Sequence, residues 1–177
     1  RGRERMNLDG IIGSRKLVVC CGSGGVGKTT TASAMALEAA RRGRKVLVLT
    51  IDPARRLADS LGVRDLTNIE RPVDPCRFRE AGIEVAGELH ALMLDPKATF
   101  DDLIRRLSPD SATTDRVLGN RVYQLLTTAL AGVLEYTAVE KLFDIHRKGV
   151  YDLIVLDTPP TKNALDFLDA PSKLVGF

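Results

Sequence analysis

A lysine and two threonines stand directly behind four closely spaced glycines, and these residue types at this spacing could grip a chain of phosphates. Residues 22–30 read Gly-Ser-Gly-Gly-Val-Gly-Lys-Thr-Thr, and residues 22–29 satisfy the pattern G-x-x-x-x-G-K-[ST]. Glycines let consecutive backbone N–H groups turn inward as an anion nest, and a helix starting behind them aims its positive end at the same point. In such a cage Gly24, Gly25, Val26 and Gly27 supply amides, and the Lys28 ammonium reaches the β- and γ-phosphates. The Thr29 hydroxyl suits Mg²⁺, and the N–H and hydroxyl of Thr30 fall to the α-phosphate.

Two carboxylates complete the candidate chemistry. The apolar run Val-Leu-Val-Leu-Thr-Ile at residues 46–51 ends in Asp52, followed by Pro-Ala-Arg-Arg, which puts a carboxylate at the C-terminal end of a strand, where parallel sheets bind ligands. Asp52 there could accept a hydrogen bond from an attacking water and orient it; it fits equally well as the N-cap of a helix after Pro53, and the two roles are compatible. Residues 151–157, Tyr-Asp-Leu-Ile-Val-Leu-Asp, end in Asp157, the pattern that holds Mg²⁺ directly or through water. Pro159 and Pro160 carry no N–H, so a backbone donor to a γ-phosphate beyond Asp157 must come from Thr158 or Thr161. Asp157 is followed by Thr-Pro-Pro and so does not open an Asp-x-x-Gly motif, and no Asn-Lys-x-Asp occurs, which favours adenine over guanine. Gly22, Gly24 and Gly27 also satisfy the dinucleotide fingerprint, but that pattern requires neither Lys-Thr after the last glycine nor a second acidic strand end.

These residues need a scaffold that delivers them to one edge. Residues 17–21, 46–51, 89–94 and 153–156 read as strands, and the first is apolar enough for a parallel strand buried on both faces. A helix is expected over residues 29–42, with Ala32, Met35, Ala36 and Ala39 on one face and Gly43 at its end. Phe100, Leu103, Ile104 and Leu107 keep helical spacing, as do Leu118, Val122, Leu125, Leu126 and Ala129, and then Leu134, Ala138, Leu142 and Ile145. Core packing is the expected fate of these stripes, ahead of a groove for a client. Residues 67–82, with Pro72 and Pro75 among charges, read as an irregular surface loop. The expected fold is α/β, a mostly parallel sheet with helices on both faces, built by residues 15–177 behind an N-terminal tail of residues 1–14.

Bulk properties narrow the function. The 177 residues are 44% hydrophobic and 28% charged, ordinary for a globular domain. The net charge of +3 is scattered along the chain without interleaved aromatics, so nucleic acid is not an expected partner. With no bilayer-length apolar run and no visible signal peptide, a cytoplasmic protein is expected. Cys20 and Cys21 sit inside a strand and Cys76 stands alone, so neither a disulfide framework nor a C-x-x-C metal site is expected.

Together, the Gly-Ser-Gly-Gly-Val-Gly-Lys-Thr-Thr loop, Thr-Ile-Asp-Pro-Ala-Arg at residues 50–55 and Asp-Thr-Pro-Pro-Thr-Lys-Asn-Ala-Leu at residues 157–165 resemble the ArsA-like anion-transporting ATPases. These are P-loop ATPases related to tail-anchored-protein targeting ATPases and, more remotely, to MinD/ParA positioning ATPases. The resemblance runs from about Arg15 to Phe177. It implies an ATP- and Mg²⁺-dependent ATPase whose dimer closes across the nucleotides and reopens on hydrolysis. Lys28 and Asp52 would be catalytic, and Thr29 and Asp157 would serve the metal. It also implies further strands and an adenine-contacting segment beyond Phe177, so an incomplete portion of the domain is expected. Where the family's loop carries a signature lysine that reaches the partner's phosphates, this chain has Ser23. The missing cation would come from a lysine-bearing paralogue in a heterodimer, or from an arginine such as Arg55; a homodimer of this chain is the other arrangement. A catalytically weak regulatory subunit and a positioning ATPase are the alternatives, although a positioning ATPase would need an amphipathic tail this sequence does not show. The cysteines that bind metalloid or zinc in these families are not visible, so the client protein or membrane partner stays unnamed.

Overall fold

Along β-strands successive side chains point to opposite faces, and here that alternation divides the sheet between two apolar layers. The computed structural model describes residues 8–52, 56–64, 66–129 and 133–160. In chain order they form α1 (Leu8–Ser14), β1 (Leu17–Cys20), α2 (Lys28–Arg41), β2 (Lys45–Thr50), α3 (Arg56–Leu61), β3 (Arg71–Pro72) and α4 (Pro75–Glu80). There follow β4 (Glu88–Met93), α5 (Pro96–Leu107), α6 (Ser111–Leu118), α7 (Arg121–Ala129), α8 (Val133–Lys148) and β5 (Leu153–Asp157). The strands lie in the order β1-β5-β2-β4-β3, parallel except for β3, which runs antiparallel to β4.

Val46 and Val48 of β2, Leu89 and Ala91 of β4, and Leu153 and Val155 of β5 face one layer, closed by α2 with Ile12 of α1 and Leu57 and Leu61 of α3. Leu47, Leu49, Leu92, Ile154 and Leu156 face the other, closed by Ala138, Leu142 and Ile145 of α8. The α/β class with helices on both faces is therefore as the sequence reads. On α2 the inward residues are mostly alanine: Ala32, Ala36, Ala39 and Ala40 have no exposed surface. Their small size lets the helix backbone lie close to the sheet. The same closeness recurs at the far end of α2, where Gly87 donates to Ala40 O at 2.8 Å and any Cβ on Gly87 would fall 2.2 Å from Arg44 O. Across the strand starts, the Arg44 guanidinium donates to the carbonyls of Ile12, Arg15 and Asp152, tying α1, β1 and β5 together.

Several expectations need correction. Residues 67–82 are not an irregular loop: they contain β3 and α4. Asp74 caps α4 by accepting from Cys76 N at 2.9 Å with Pro75 in the first turn, as Asp95 and Pro96 open α5. Residues 8–14, assigned to the tail, form α1, because Ile12 and Ile11 pack on the α2 layer; residues 1–7 lie outside the described set. Among the described residues β1 pairs only with β5, and its Leu17 is exposed with the rest half-buried, so the burial expected of it is not seen there. The stripes of α5 to α7 contribute no residue to either core layer among the described residues, and Leu107, Val122 and Leu125 are well exposed. An ion-pair cluster joins α5 to α8, with Arg106 of α5 bridging Glu140 and Asp144.

Leu92 is fully buried between β2 and α8, whereas Leu107 is 73% exposed. Leu92→Ala should cost about 2–5 kcal/mol in chemical denaturation. Leu107→Ala should change stability by less than about 0.5 kcal/mol. Equal losses would mean that α5 belongs to the core.

Candidate functional site

The strand register aligns one row of residues across the C-terminal edge of the sheet: Cys20 pairs with Asp157, Asp157 with Thr50, and Thr50 with Met93. Counting in twos from Val46 and Leu153 puts Thr50 and Asp157 on the face covered by α2, beneath the start of that helix. The glycine loop arrives there from β1. Gly25 and Gly27 have φ of 77° and 85°, in the left-handed region that a side chain disfavours. Gly27 is also the N-cap of α2 and no side chain caps the helix, so the first-turn N–H groups and the positive end of the helix dipole face the loop.

A cavity of about 540 Å³ opens over this helix start. Gly25, Gly27, Lys28, Thr29 and Thr30 line one side, and Asp52, Arg56, Asp59, Ser60 and Thr158 the other. The Lys28 ammonium folds back across the loop and donates to Ser23 O at 2.8 Å. Beneath it the Thr29 hydroxyl donates to Asp157 Oδ2 at 2.7 Å, and the buried Thr50 hydroxyl donates to the same oxygen at 3.1 Å. Asp157 is 1% exposed, and its other oxygen, Oδ1, is buried with no hydrogen-bond partner among the described residues. Burial pushes the Asp157 carboxyl above its ordinary range, although the two hydroxyls and Lys28 pull the other way.

Six of the sequence-predicted residues thus gather at one place: Gly25, Gly27, Lys28, Thr29, Thr30 and Asp52 line the cavity, with Asp157 just beneath. Gly24 and Val26 belong to the loop but not to the cavity wall, and Val26 points to solvent. Arg55 and Thr161 lie outside the described residues. Thr158 cannot be the phosphate-sensing donor in this arrangement, because both its N–H and its hydroxyl are committed to Cys20 O, at 3.2 and 2.9 Å.

Sequence reasoning missed three residues here. Arg56, in the first turn of α3, pairs with Asp52 at 2.9 Å in an i, i+4 ion pair. Ser60 on α3 shares a 2.8 Å hydrogen bond with Ser33 on α2, docking the two helices that flank the cavity. Thr50 carried the best signal: a lone hydroxyl closing an otherwise apolar strand.

The donor set fits Mg²⁺. This ion takes one or two protein oxygens and fills its octahedron with water and phosphate, so a buried carboxylate oxygen lacking a donor beside a threonine hydroxyl matches its demand. Among the described residues no group of three or more His, Cys, Asp or Glu could form an all-protein cage. No helix among them is long and apolar enough to cross a membrane.

Comparison with known proteins places the sequence in a family. Residues 15–176 match the model of a family described as anion-transporting ATPase. The chain is 29% identical over 163 residues to an ATPase GET3 of Malassezia globosa, covering 91% of this chain and 44% of that protein. It is 30% identical over 175 residues to ATPase get3 of Aspergillus terreus, covering 95% and 47% respectively. It is 31% identical over 169 residues to ATPase GET3 of Chaetomium globosum, covering 94% and 46%. The chain thus spans under half the length of these curated relatives.

The thiol beside the site offers a check on its dryness. Burial, with the Asp157 carboxylate alongside, pushes the Cys20 thiol up to about 11, whereas Cys76 is exposed. Because only the thiolate reacts, iodoacetamide at pH 8 should label Cys76 of the folded protein roughly a hundredfold faster than Cys20. Peptide mapping showing similar rates would mean that the row at the sheet edge is open to solvent.

Proposed function

The chain belongs to the anion-transporting ATPase family, and from that premise we propose that it binds ATP with Mg²⁺ and hydrolyses it, working as a nucleotide-gated dimer. The observation that carries this reading is the convergence of the Lys28 ammonium, the Thr29 hydroxyl and the Asp157 carboxylate at a loop whose glycines and helix start face one cavity. A polyphosphate takes the place of Ser23 O as partner of Lys28, and the first-turn amides of α2 receive its remaining oxygens. Thr29 and Asp157 hold the metal side. Bound Mg²⁺ neutralises charge on the phosphates and polarises the terminal one. Asp52, at the opposite wall, accepts a hydrogen bond from the attacking water and holds it in line, with Arg56 orienting the carboxylate.

A pair of chains supplies what one lacks. Ser23 offers a neutral hydroxyl where a loop lysine would stabilise transition-state charge, so a lysine-bearing paralogue in a heterodimer is one source of that cation. Arg56, already in the cavity wall, is another and suits a homodimer. Ser23 likewise favours a second reading, a nucleotide-binding regulatory subunit that turns over slowly by itself. The client of the assembly is a protein or membrane partner of unassigned chemistry, and the protein acts in the cytoplasm.

Lys28→Ala should abolish ATP binding in calorimetry, while Asp52→Asn should keep ATP bound and lower kcat by at least about a hundredfold. Loss of binding in both would make Asp52 a structural residue. Mass measured by light scattering on the full chain, alone and with a co-purified partner, should rise to a dimer in ATP and fall back in ADP. An unchanged mass in the two nucleotides would remove the gating, and fast turnover of the isolated chain would remove the regulatory-subunit reading.

A further inference from the structure

The Thr50 side chain is 1% exposed and its single hydroxyl serves two masters. It donates to Asp157 Oδ2 at 3.1 Å and accepts from the backbone N–H of Asp52 at 3.2 Å. A threonine hydroxyl has one proton and two lone pairs, so both bonds form together without competition. Thr50 is β-branched and buried, which leaves χ1 little freedom to redirect the hydroxyl. The register bond Ile51 N to Asp157 O at 3.3 Å brings the two strand ends together at this point.

We propose that Thr50 is a positioning residue that sets the metal-side and water-side acids as one unit. The proposal deepens the ATP–Mg²⁺ reading of the site and rests on it. The two oxygens of Asp157 interchange on rotation about Cβ–Cγ, and the hydroxyls on Oδ2 decide which one is presented. With Thr29 and Thr50 both donating to Oδ2, the buried Oδ1 is the oxygen left without a donor among the described residues, the one a cation or its water would satisfy. Thr29 is the residue whose hydroxyl turns to the metal, so Thr50 is the donor that keeps Oδ2 pinned when Thr29 leaves. Through the second bond the same hydroxyl fixes the backbone from which the Asp52 side chain departs. The Asp157 carboxylate and the Asp52 backbone are thereby coupled through one oxygen atom.

The test uses the full chain and two variants, Thr50→Val, which removes the hydroxyl at constant shape, and Thr50→Ser, which keeps the hydroxyl and loses the methyl. Outer-shell partners of a metal ligand typically change metal affinity by about ten- to a hundredfold, so Thr50→Val should raise the Mg²⁺ concentration for half-maximal enhancement of ATP binding by about tenfold. Its ATP affinity in EDTA should match wild type, because the phosphate cage is untouched. Its kcat should fall with little change in KM. Thr50→Ser should stay within about threefold of wild type in Mg²⁺ dependence even where its melting temperature drops, the opposite order to that of a packing role. Wild-type Mg²⁺ dependence in Thr50→Val, or an equal shift in both variants, would overturn the positioning role while leaving the ATP–Mg²⁺ reading in place. Failure of the wild-type chain to bind ATP with Mg²⁺ would overturn both. If Thr50→Val does not fold, Thr50→Ala against Thr50→Ser decides by the same Mg²⁺ titration.

Discussion

The distance between α2 and the sheet governs everything at this site. Thr29 sits in the first turn of the helix and Asp157 at the tip of β5, yet their side chains meet at 2.7 Å, which requires the helix backbone to lie low over the strands. Alanines at 32, 36, 39 and 40 make that approach, and Met35 fills the remaining gap. A leucine at any of these fully buried alanine positions would add three carbons between helix and sheet, and overpacking of that kind costs about 1–3 kcal/mol and shifts backbone. Lifting α2 would separate the loop amides and Thr29 from Asp157 together. The core packing and the site geometry are thus a single constraint.

That constraint also explains why the acids differ. Asp157 is on the face that α2 covers, so it is desolvated, held by two hydroxyls and raised in pKa. Asp52 lies two residues past Thr50, beyond the roof of the helix and in the cavity wall, where Arg56 reaches it. A desolvated carboxylate with an oxygen lacking a donor suits a cation brought in with its ligand, because the ion and not a protein base supplies the missing charge. A cavity-facing carboxylate suits water. One sheet edge therefore gives two carboxylates of different character, and the cause is which side of the helix N-terminus each lies on.

The parts legible in the sequence were those governed by local rules. The glycine loop, the strand-ending acids and the alanine face of α2 each announce themselves within about ten residues, and they assemble as read. Longer-range outcomes were not legible. The order β1-β5-β2-β4-β3 is such an outcome, because no local pattern carries strand order. The helical periodicity of α5 to α7 is real, yet periodicity reports that one face is apolar and not what covers it. Residues 67–82 read as a loop because two prolines outweighed the Asp-Pro start signal, which Asp74 and Pro75 share with Asp95 and Pro96. Thr50 escaped notice because its meaning depends on a cross-strand neighbour 107 residues away.

The helices on the two sides of the sheet are held by different physics, and that difference bears on which of them can move. The α2 layer is fixed by buried apolar area and by the Ser33–Ser60 bond to α3, inside the region that carries the site. Beyond α8, the α5 to α7 segment is joined to α8 by the pairs of Arg106 with Glu140 and Asp144, and α5 to α7 by the Lys97–Asp101–Tyr123 chain. Exposed pairs of this sort contribute about 0–1 kcal/mol each, against about 1.5–3 kcal/mol for each large apolar side chain buried in the other layer. Local opening therefore begins in α5 to α7 at a lower free energy than it does in α2. Since α8 leads directly into β5, whose last residue is Asp157, the loosely held helices and the rigid site share one continuous stretch of chain. Rearrangement of the outer helices can accompany a change at the sheet edge without disturbing the packing that keeps Thr29 and Asp157 together.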